Sequence, residues 1–445
     1  MAPVVERRGT LTRRGFLAGS AGGLAAAGIS RPLLAAGPDR ATDVLLNWYR
    51  LVLELVRHTA TYSPPVASRS FAYLGVTAHE VFAATGAATQ SLGGQLQGLN
   101  APPADPGCDT AATLNAALLH GVRAHFGNTG PTGQRAMDAM EARLAARAQS
   151  GLGAGSIRQS QELGEAIAHH IAAWAAEDGG AEVANMGFPL EWPRKDAAGI
   201  WVPTSTLGQQ QAPLLPHWGA NRSFAMPGGG TCGLPPPPDY SEEAGSAFYA
   251  EALEVFEVTT RLTDEQKLIA RFWSDDPMLS PTPPGHWIAI LLQIAERDGL
   301  PPERIAAGLA LLGVAVADAF IACWHEKYRH DLVRPVTYIR KVIDPAWQPL
   351  LITPPFPEYP SGHSTQSGAA VAVLESLFGT DFAFVDTTHV DDGLPARSFP
   401  SFRTAGAEAG ISRLYGGIHF RAAIERGLEQ GYCVGAYAAA LQWQA

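Results

Sequence analysis

Three short stretches of this chain carry residue types suited to holding an oxyanion and working on it. In Lys327-Tyr328-Arg329-His330-Asp331-Leu332-Val333-Arg334-Pro335, a lysine and an arginine stand seven residues apart and share one helix face. Pro335 disfavours helix at the residue before it, so Arg334 belongs to the helix end. Asp331 lies between the two cations, where it could brace both, and Trp324 lies near the same face. Pro360-Ser361-Gly362-His363 opens a second helix, whose first N–H groups have no intrahelical partner and so suit an anion. Gly362 lets the backbone approach a ligand closely, Ser361 adds a hydroxyl, and His363 is placed over the anion as acid or base. Ser412-Arg413 closes a third helix, Gly416-Gly417 turns the chain, and His419 begins the last helix. A histidine there is discouraged from protonating, which leaves a neutral nitrogen to ligate or to attack. Together Lys327, Arg334 and Arg413 supply fixed positive charge, and the turn and the two histidines complete a site for a tetrahedral or trigonal-bipyramidal oxyanion.

The elements that must position these residues are helical throughout. Leu45, Leu46, Tyr49, Leu53 and Val56 recur at three- and four-residue spacing, and Pro64-Pro65 ends that helix and starts another through Phe71, Leu74, Ala78 and Phe82. Further helices fit 110–126, 134–148 and 156–176, giving an N-terminal bundle over 41–180. Its histidines, His79, His120, His125, His169 and His170, have no carboxylate or cysteine at ligand spacing and read as core or surface residues. Residues 181–240 are rich in Pro, Gly and Trp without a sustained period, an ordered connection packed by its aromatics. Helices resume over 241–445 at 242–259, 263–273, 284–298, 302–333, 362–379, 405–415 and 419–442, with a capping box at Thr263-Asp264-Glu265-Gln266. No run alternates with period two over a useful length. The fold class is all-α: two helical bundles, a long connection, and the site in the C-terminal bundle.

Composition limits the partners. The chain has 445 residues, 46% hydrophobic and 17% charged, with a formal charge of -10. That is globular and acidic, which argues against nucleic acid and anionic membrane, so any anion must be met by a local basic pocket. Residues 1–36 are the exception: Thr12-Arg13-Arg14-Gly15-Phe16-Leu17 precedes a small apolar run from Ala18 to Ile29. This resembles a twin-arginine export signal and predicts a periplasmic or secreted protein. No later run reaches the roughly 20 apolar residues that span a bilayer, so no stable membrane insertion is expected. Cys108, Cys232, Cys323 and Cys433 are scattered and read as buried thiols or at most a disulfide.

The pattern Lys-x6-Arg-Pro, Pro-Ser-Gly-His and Ser-Arg-x5-His resembles the superfamily of vanadium-dependent haloperoxidases and type 2 phosphatidic acid phosphatases, from about Trp273 to the C-terminus. The resemblance implies vanadate as cofactor, with Lys327, Arg334, Ser361, Gly362 and Arg413 holding its oxygens, His419 bonding the metal and His363 as acid–base residue. It also implies that Trp324, Pro354 and Phe356 line a halide side, as in the chloroperoxidase-like branch, and that Asp276 pairs with the second arginine. The implied reactants are hydrogen peroxide, a halide and a small organic acceptor; a homo-oligomer is compatible with all of this. One departure stands out. The family commonly has His-x-x-x-Asp, and here the fourth residue after His419 is Ala423. The same constellation also suits a phosphomonoesterase in which His419 attacks phosphorus and phosphate replaces vanadate, or an oxyanion-binding protein without activity. His325-Glu326 with His330 misses the H-E-x-x-H zinc spacing by one residue, which swings the second histidine off the face.

Overall fold

Asp39 accepts from the N–H groups of Ala41 and Thr42 and so starts the first helix, α1 (Arg40–Arg57). The structure, a computed structural model, describes residues 39–193, 195, 197–205 and 212–445; the export-signal segment lies outside them. Proline opens α2 (Pro64–Ala84) and α4 (Pro131–Ala148), where its missing N–H costs nothing. With α3 (Thr110–Phe126) and α5 (Ala154–Ala176) these form the first group of helices. The expectation that its histidines lack a carboxylate at ligand spacing fails at one place: Glu165 stands one turn before His169 on α5, and both face His120 of α3.

The second group comprises α6 (Ala247–Thr260), α7 (Asp264–Phe272), α8 (Thr282–Asp298), α9 (Pro302–His330), α10 (Pro335–Val342), α11 (Gly362–Phe378), α12 (Phe402–Tyr415) and α13 (Arg421–Ala439). The capping box forms at Thr263 and Gln266. A short antiparallel hairpin, β1 (Phe384–Asp386) with β2 (Arg397–Phe399), interrupts the helices. Strands of three residues are too short to show a period of two in the sequence. Helix α9 ends at His330, three residues earlier than the sequence suggested, because Asp331 takes the left-handed conformation (φ 49°).

The two groups share one hydrophobic core around α9. A Cβ at Gly75 of α2 would lie 2.6 Å from the Leu309 carbonyl of α9, so only glycine lets the two backbones come this close. On the other side, a Cβ at Gly431 of α13 would fall 2.1 Å from the Thr365 carbonyl of α11. Helix α9 is long and apolar enough to cross a membrane by length and composition, contrary to the sequence-based expectation, and that apolar window is wholly buried within the protein. Midway along it, the buried carboxylate of Asp318 accepts from the backbone N–H groups of Phe224, Ala225 and Met226 at 2.6, 2.8 and 3.0 Å. That contact pins the Pro/Gly/Trp-rich connection to the central helix.

A few residues further along, a disulfide ties the same connection to α13. Cys232 is bonded to Cys433 of α13, closing a sequence separation of 201 residues, while Cys108 and Cys323 are buried free thiols. A cross-link over so long a loop restricts the unfolded chain strongly. The paired substitution Cys232→Ser/Cys433→Ser should lower unfolding stability by about 2–4 kcal/mol, measured by urea denaturation, whereas Cys108→Ser should change it far less.

Candidate functional site

The anion-binding residues of the sequence converge where the end of α9, the start of α11 and the α12–α13 turn meet. Lys327 lies on the last turn of α9, fully buried. Its ammonium donates to the Pro357 and Glu358 carbonyls at 2.9 and 3.0 Å and to the Pro360 carbonyl. Three carbonyls already engage its protons, so an incoming anion meets it as a charge or displaces one of them. Burial lowers its pKa to about 7.

Arg334 occupies the N-cap position of α10 and is also fully buried. Its Nε donates to the Phe356 carbonyl at 2.8 Å and its Nη1 to the Ile418 carbonyl at 2.8 Å, with Nη1 3.1 Å from His419 Nε2. Arg413, on the last turn of α12, donates from Nε to Ser412 Oγ at 2.9 Å and from Nη2 to the Ala270 and Trp273 carbonyls. Burial pulls both guanidinium pKa values down to about 10, and both groups stay charged at neutral pH. Asp331 does not brace these cations. It caps α9, and its carboxylate pairs with Lys195 at 2.9 Å.

Ser361 is the N-cap of α11, its Oγ accepting from the Ser364 N–H at 3.3 Å, which leaves its own O–H available. A Cβ at Gly362 would meet the Trp324 and Phe320 rings at 3.6 and 3.7 Å, ordinary contact distances. A Cβ at Gly427 of α13 would come within 2.9 Å of the Ser361 carbonyl, so α13 supports the turn from behind. His363, on the first turn of α11, is half-buried, with its Nε2 lacking any protein partner. Burial and the Arg413 charge push its pKa well below the usual imidazole value, against a hydrogen bond to the Ser274 backbone.

His419 meets a carboxylate that does not come from the fourth residue after it. Its Nδ1 lies 2.9 Å from Glu358 Oε1, which also accepts the Phe420 N–H at 2.8 Å. A carboxylate on Nδ1 fixes the proton there and leaves Nε2 as a lone-pair donor beside Arg334. Burial, then Arg334, Lys327 and Arg413, keep the ring neutral by holding its pKa well below 6.5. Ala423 is buried against this region, and its carbonyl accepts the Ser361 N–H at 3.0 Å, a backbone role that needs no side chain. Burial pushes the Glu358 pKa up, while Arg334, the Phe420 N–H and Lys327 oppose it and favour the carboxylate. Sequence reasoning missed Glu358; the available signal was an acid three residues before Ser361, inside the anion-binding turn.

The aromatic residues gather on one side. Trp324 and Phe356 rings are 4.9 Å apart, and the Lys327 ammonium and the Arg334 guanidinium lie 5.1 and 4.9 Å from the Phe356 centroid. Half-buried Pro354 accepts the Phe356 N–H at 3.0 Å, shaping that loop. Asp276 makes no ion pair with Arg413 among the described residues. The Arg413 fork is taken by carbonyls, and Asp275 and Asp276 act on it only through their charge.

These groups suit an oxyanion of vanadate type. Buried Arg334 Nη2, His363 Nε2 and Ser364 Oγ find no partner in the protein, and unpaired buried polar groups are costly unless a ligand satisfies them. A neutral imidazole nitrogen amid fixed cations adds a metal ligand to the oxygen-binding donors.

Comparison with known proteins agrees. A family model described as the VCPO second helical-bundle domain matches residues 308–444. The crystal structure titled as the first bacterial vanadium-dependent iodoperoxidase superposes with a TM-score of 0.82 at 38% identity, over 91% of this chain and 97% of that one. The chain belongs to the vanadium-dependent haloperoxidase family. Two further solved structures, the holo and apo forms of a bacterial vanadium-dependent chloroperoxidase, share the fold at TM-scores of 0.63 and 0.62, with 18% and 17% identity. They cover 87% and 85% of this chain and 94% and 93% of theirs. The vanadium chloroperoxidase of Curvularia inaequalis is 29% identical over 145 residues, which is 27% of this chain and 24% of that protein.

As a member of this family, the chain offers a direct test of Glu358. Glu358→Gln should weaken vanadate binding by ~10–100-fold, the usual effect of losing the partner that orients a ligand histidine, as read by equilibrium titration of the apo-protein. Lys327 gives a pH test. An anion beside it favours the ammonium and raises its pKa above the free value of about 7, so anion binding takes up a proton at higher pH. Affinity should therefore fall as pH rises above about 7, and Lys327→Arg, whose charge persists, should flatten that part of the profile.

Proposed function

We propose that this protein is a peroxidase that oxidises halide with hydrogen peroxide at a vanadate held by His419. The observation that carries this reading is His419 itself: neutral, oriented by Glu358 and presenting Nε2 next to Arg334 among buried cations. Lys327, Arg334 and Arg413 offset the oxyanion charge, and the Ser361 hydroxyl and Gly362 backbone donate to its oxygens. Bound vanadate supplies a Lewis acid that polarises peroxide toward the halide. The net reaction breaks the peroxide O–O bond, moves two electrons from halide to oxygen, consumes one proton and yields a hypohalous acid and water.

His363 is the group that moves this proton. Its Nε2 is unpaired, and its depressed pKa reflects burial and the neighbouring cations. An anion that offsets those cations restores its basicity, so His363 gains a proton when it is needed. Trp324, Pro354 and Phe356 form the halide side, where an apolar wall next to the Lys327 and Arg334 charges suits a large, weakly hydrated anion. Iodide is the first halide to test, since the 38% identical relative is titled an iodoperoxidase. A small organic acceptor would take the oxidised halogen. We also assign export by the twin-arginine route; the Cys232–Cys433 disulfide supports an oxidising compartment.

Purified protein in phosphate-free buffer, with and without orthovanadate, tests the reading. Peroxide-dependent formation of triiodide, or bromination of a diketone dye, should appear only with vanadate. Hydrolysis of p-nitrophenyl phosphate by the vanadate-free protein, with no halide oxidation, would replace the peroxidase by a phosphatase in which His419 is the nucleophile. His419→Ala should abolish vanadium binding. His363→Ala should keep vanadate and lose ~10²–10⁴-fold in kcat; an unchanged kcat would remove His363 from the proton path.

A further inference from the structure

Behind the oxyanion site lies a second cluster of ligating side chains that the peroxidase reading does not use. Asp275 sits in the turn after α7, His286 on α8 and His389 in the β1–β2 loop, all buried. Their donor atoms lie within 4.8 Å of one another. His286 Nδ1 is 3.0 Å from both Asp275 oxygens, and His389 Nε2 is 3.0 Å from Asp275 Oδ1. These separations are close to the edge of about 3.3 Å expected for tetrahedral zinc with ligands near 2.0 Å.

The outer nitrogens carry the decisive pattern. His286 Nε2 meets Asp386 at 2.7 Å, and His389 Nδ1 meets Asp392 at 3.0 Å. A metal-ligating histidine characteristically gives its far N–H to a carboxylate, and here both histidines do. Asp386 is held in turn by the Thr388 N–H and hydroxyl, and Asp392 by Arg57 at 2.7 Å. Trp273 stacks on His286 at 4.6 Å, and Phe272 stands edge-on to both histidines.

Charge bookkeeping points the same way. With carboxylates on all four ring nitrogens and no ion, each ring would need two protons, giving two buried imidazolium cations with centroids 4.9 Å apart. One divalent cation in place of the two inner protons leaves the net charge unchanged and removes the clash between like charges. Two oxygens of Asp275 and the two inner nitrogens then supply four donor atoms.

We propose that Asp275, His286 Nδ1 and His389 Nε2 form a closed structural site for one divalent metal ion of zinc type, oriented by Asp386 and Asp392. The ion would lock the left-handed backbone of Asp275 (φ 48°). It would thereby fix the Trp273 carbonyl that holds Arg413 and the Ser274 backbone that meets His363.

The test is metal content, measured apart from peroxidase turnover. Full-length protein expressed with zinc and dialysed against EDTA while folded should retain about one zinc per chain. His169→Ala, which removes the more exposed His120/Glu165/His169 trio, should retain it as well, and His389→Ala should not. Zinc absent from the wild-type protein, or lost in His169→Ala and kept in His389→Ala, would overturn the assignment. Should His389→Ala fail to fold, Asp392→Asn keeps every ligand and should bind zinc ~10–100-fold more weakly in competition with a chelator. Wild-type protein unfolded in chelator and refolded should gain thermal stability when zinc is added back; no gain would also overturn the site.

Discussion

The burial of three cations in one small volume is the constraint on which the rest of this structure depends. Lys327, Arg334 and Arg413 are at most 1% exposed, and taking such charges out of water is expensive unless they are paired or hydrogen-bonded. This chain compensates them with carbonyl dipoles, drawn from 356–360, from Ile418, and from Ala270 and Trp273. A carbonyl holds a cation in place without neutralising it. The positive field therefore stays available to an anion, in a site that needs little rearrangement to receive one. The depressed basicity of His363 and His419 follows from their burial and, after it, from the same field.

Such a site needs a rigid frame, and α9 provides it. Its buried length sits against α2 on one side and α11 and α13 on the other, with glycines allowing backbone-to-backbone approach. Asp318 secures the long connection to its middle, and the left-handed turn at Asp331 redirects the chain so that Arg334 points back beside His419. Seven residues separate the first two cations in sequence, and the break in the helix after His330 brings the second beside His419 instead of leaving both on one helix face.

Much of this was legible in the sequence, for identifiable reasons. Helices longer than about ten residues declare themselves by period, and Ser361-Gly362-His363 combines a cap, a small residue and a base at adjacent positions. The hairpin was hidden because three-residue strands carry no period. The Cys232–Cys433 pairing joins residues 201 apart, which spacing cannot foretell. Asp331 and Asp276 also misled. Asp331 is near the cations along the chain and the resemblance pairs Asp276 with Arg413, yet the backbone turns the first toward Lys195, and the Arg413 fork donates to carbonyls rather than to the second. Carbonyl ligands are invisible to any reading by residue type, because every residue has one.

Glu358 shows what replaces proximity in sequence. The apparent loss at Ala423 concerned only where an orienting carboxylate comes from, and space supplies one from a different loop. Its location has a consequence beyond substitution. Residues 357–361 contribute the carbonyls around Lys327, the carboxylate behind His419 and the Ser361 hydroxyl, so one short turn positions all three groups together. A carboxylate placed on α13 would report only on the histidine. Placed in the anion turn, it makes His419 orientation and Lys327 position respond to the same backbone, and disturbing either disturbs both.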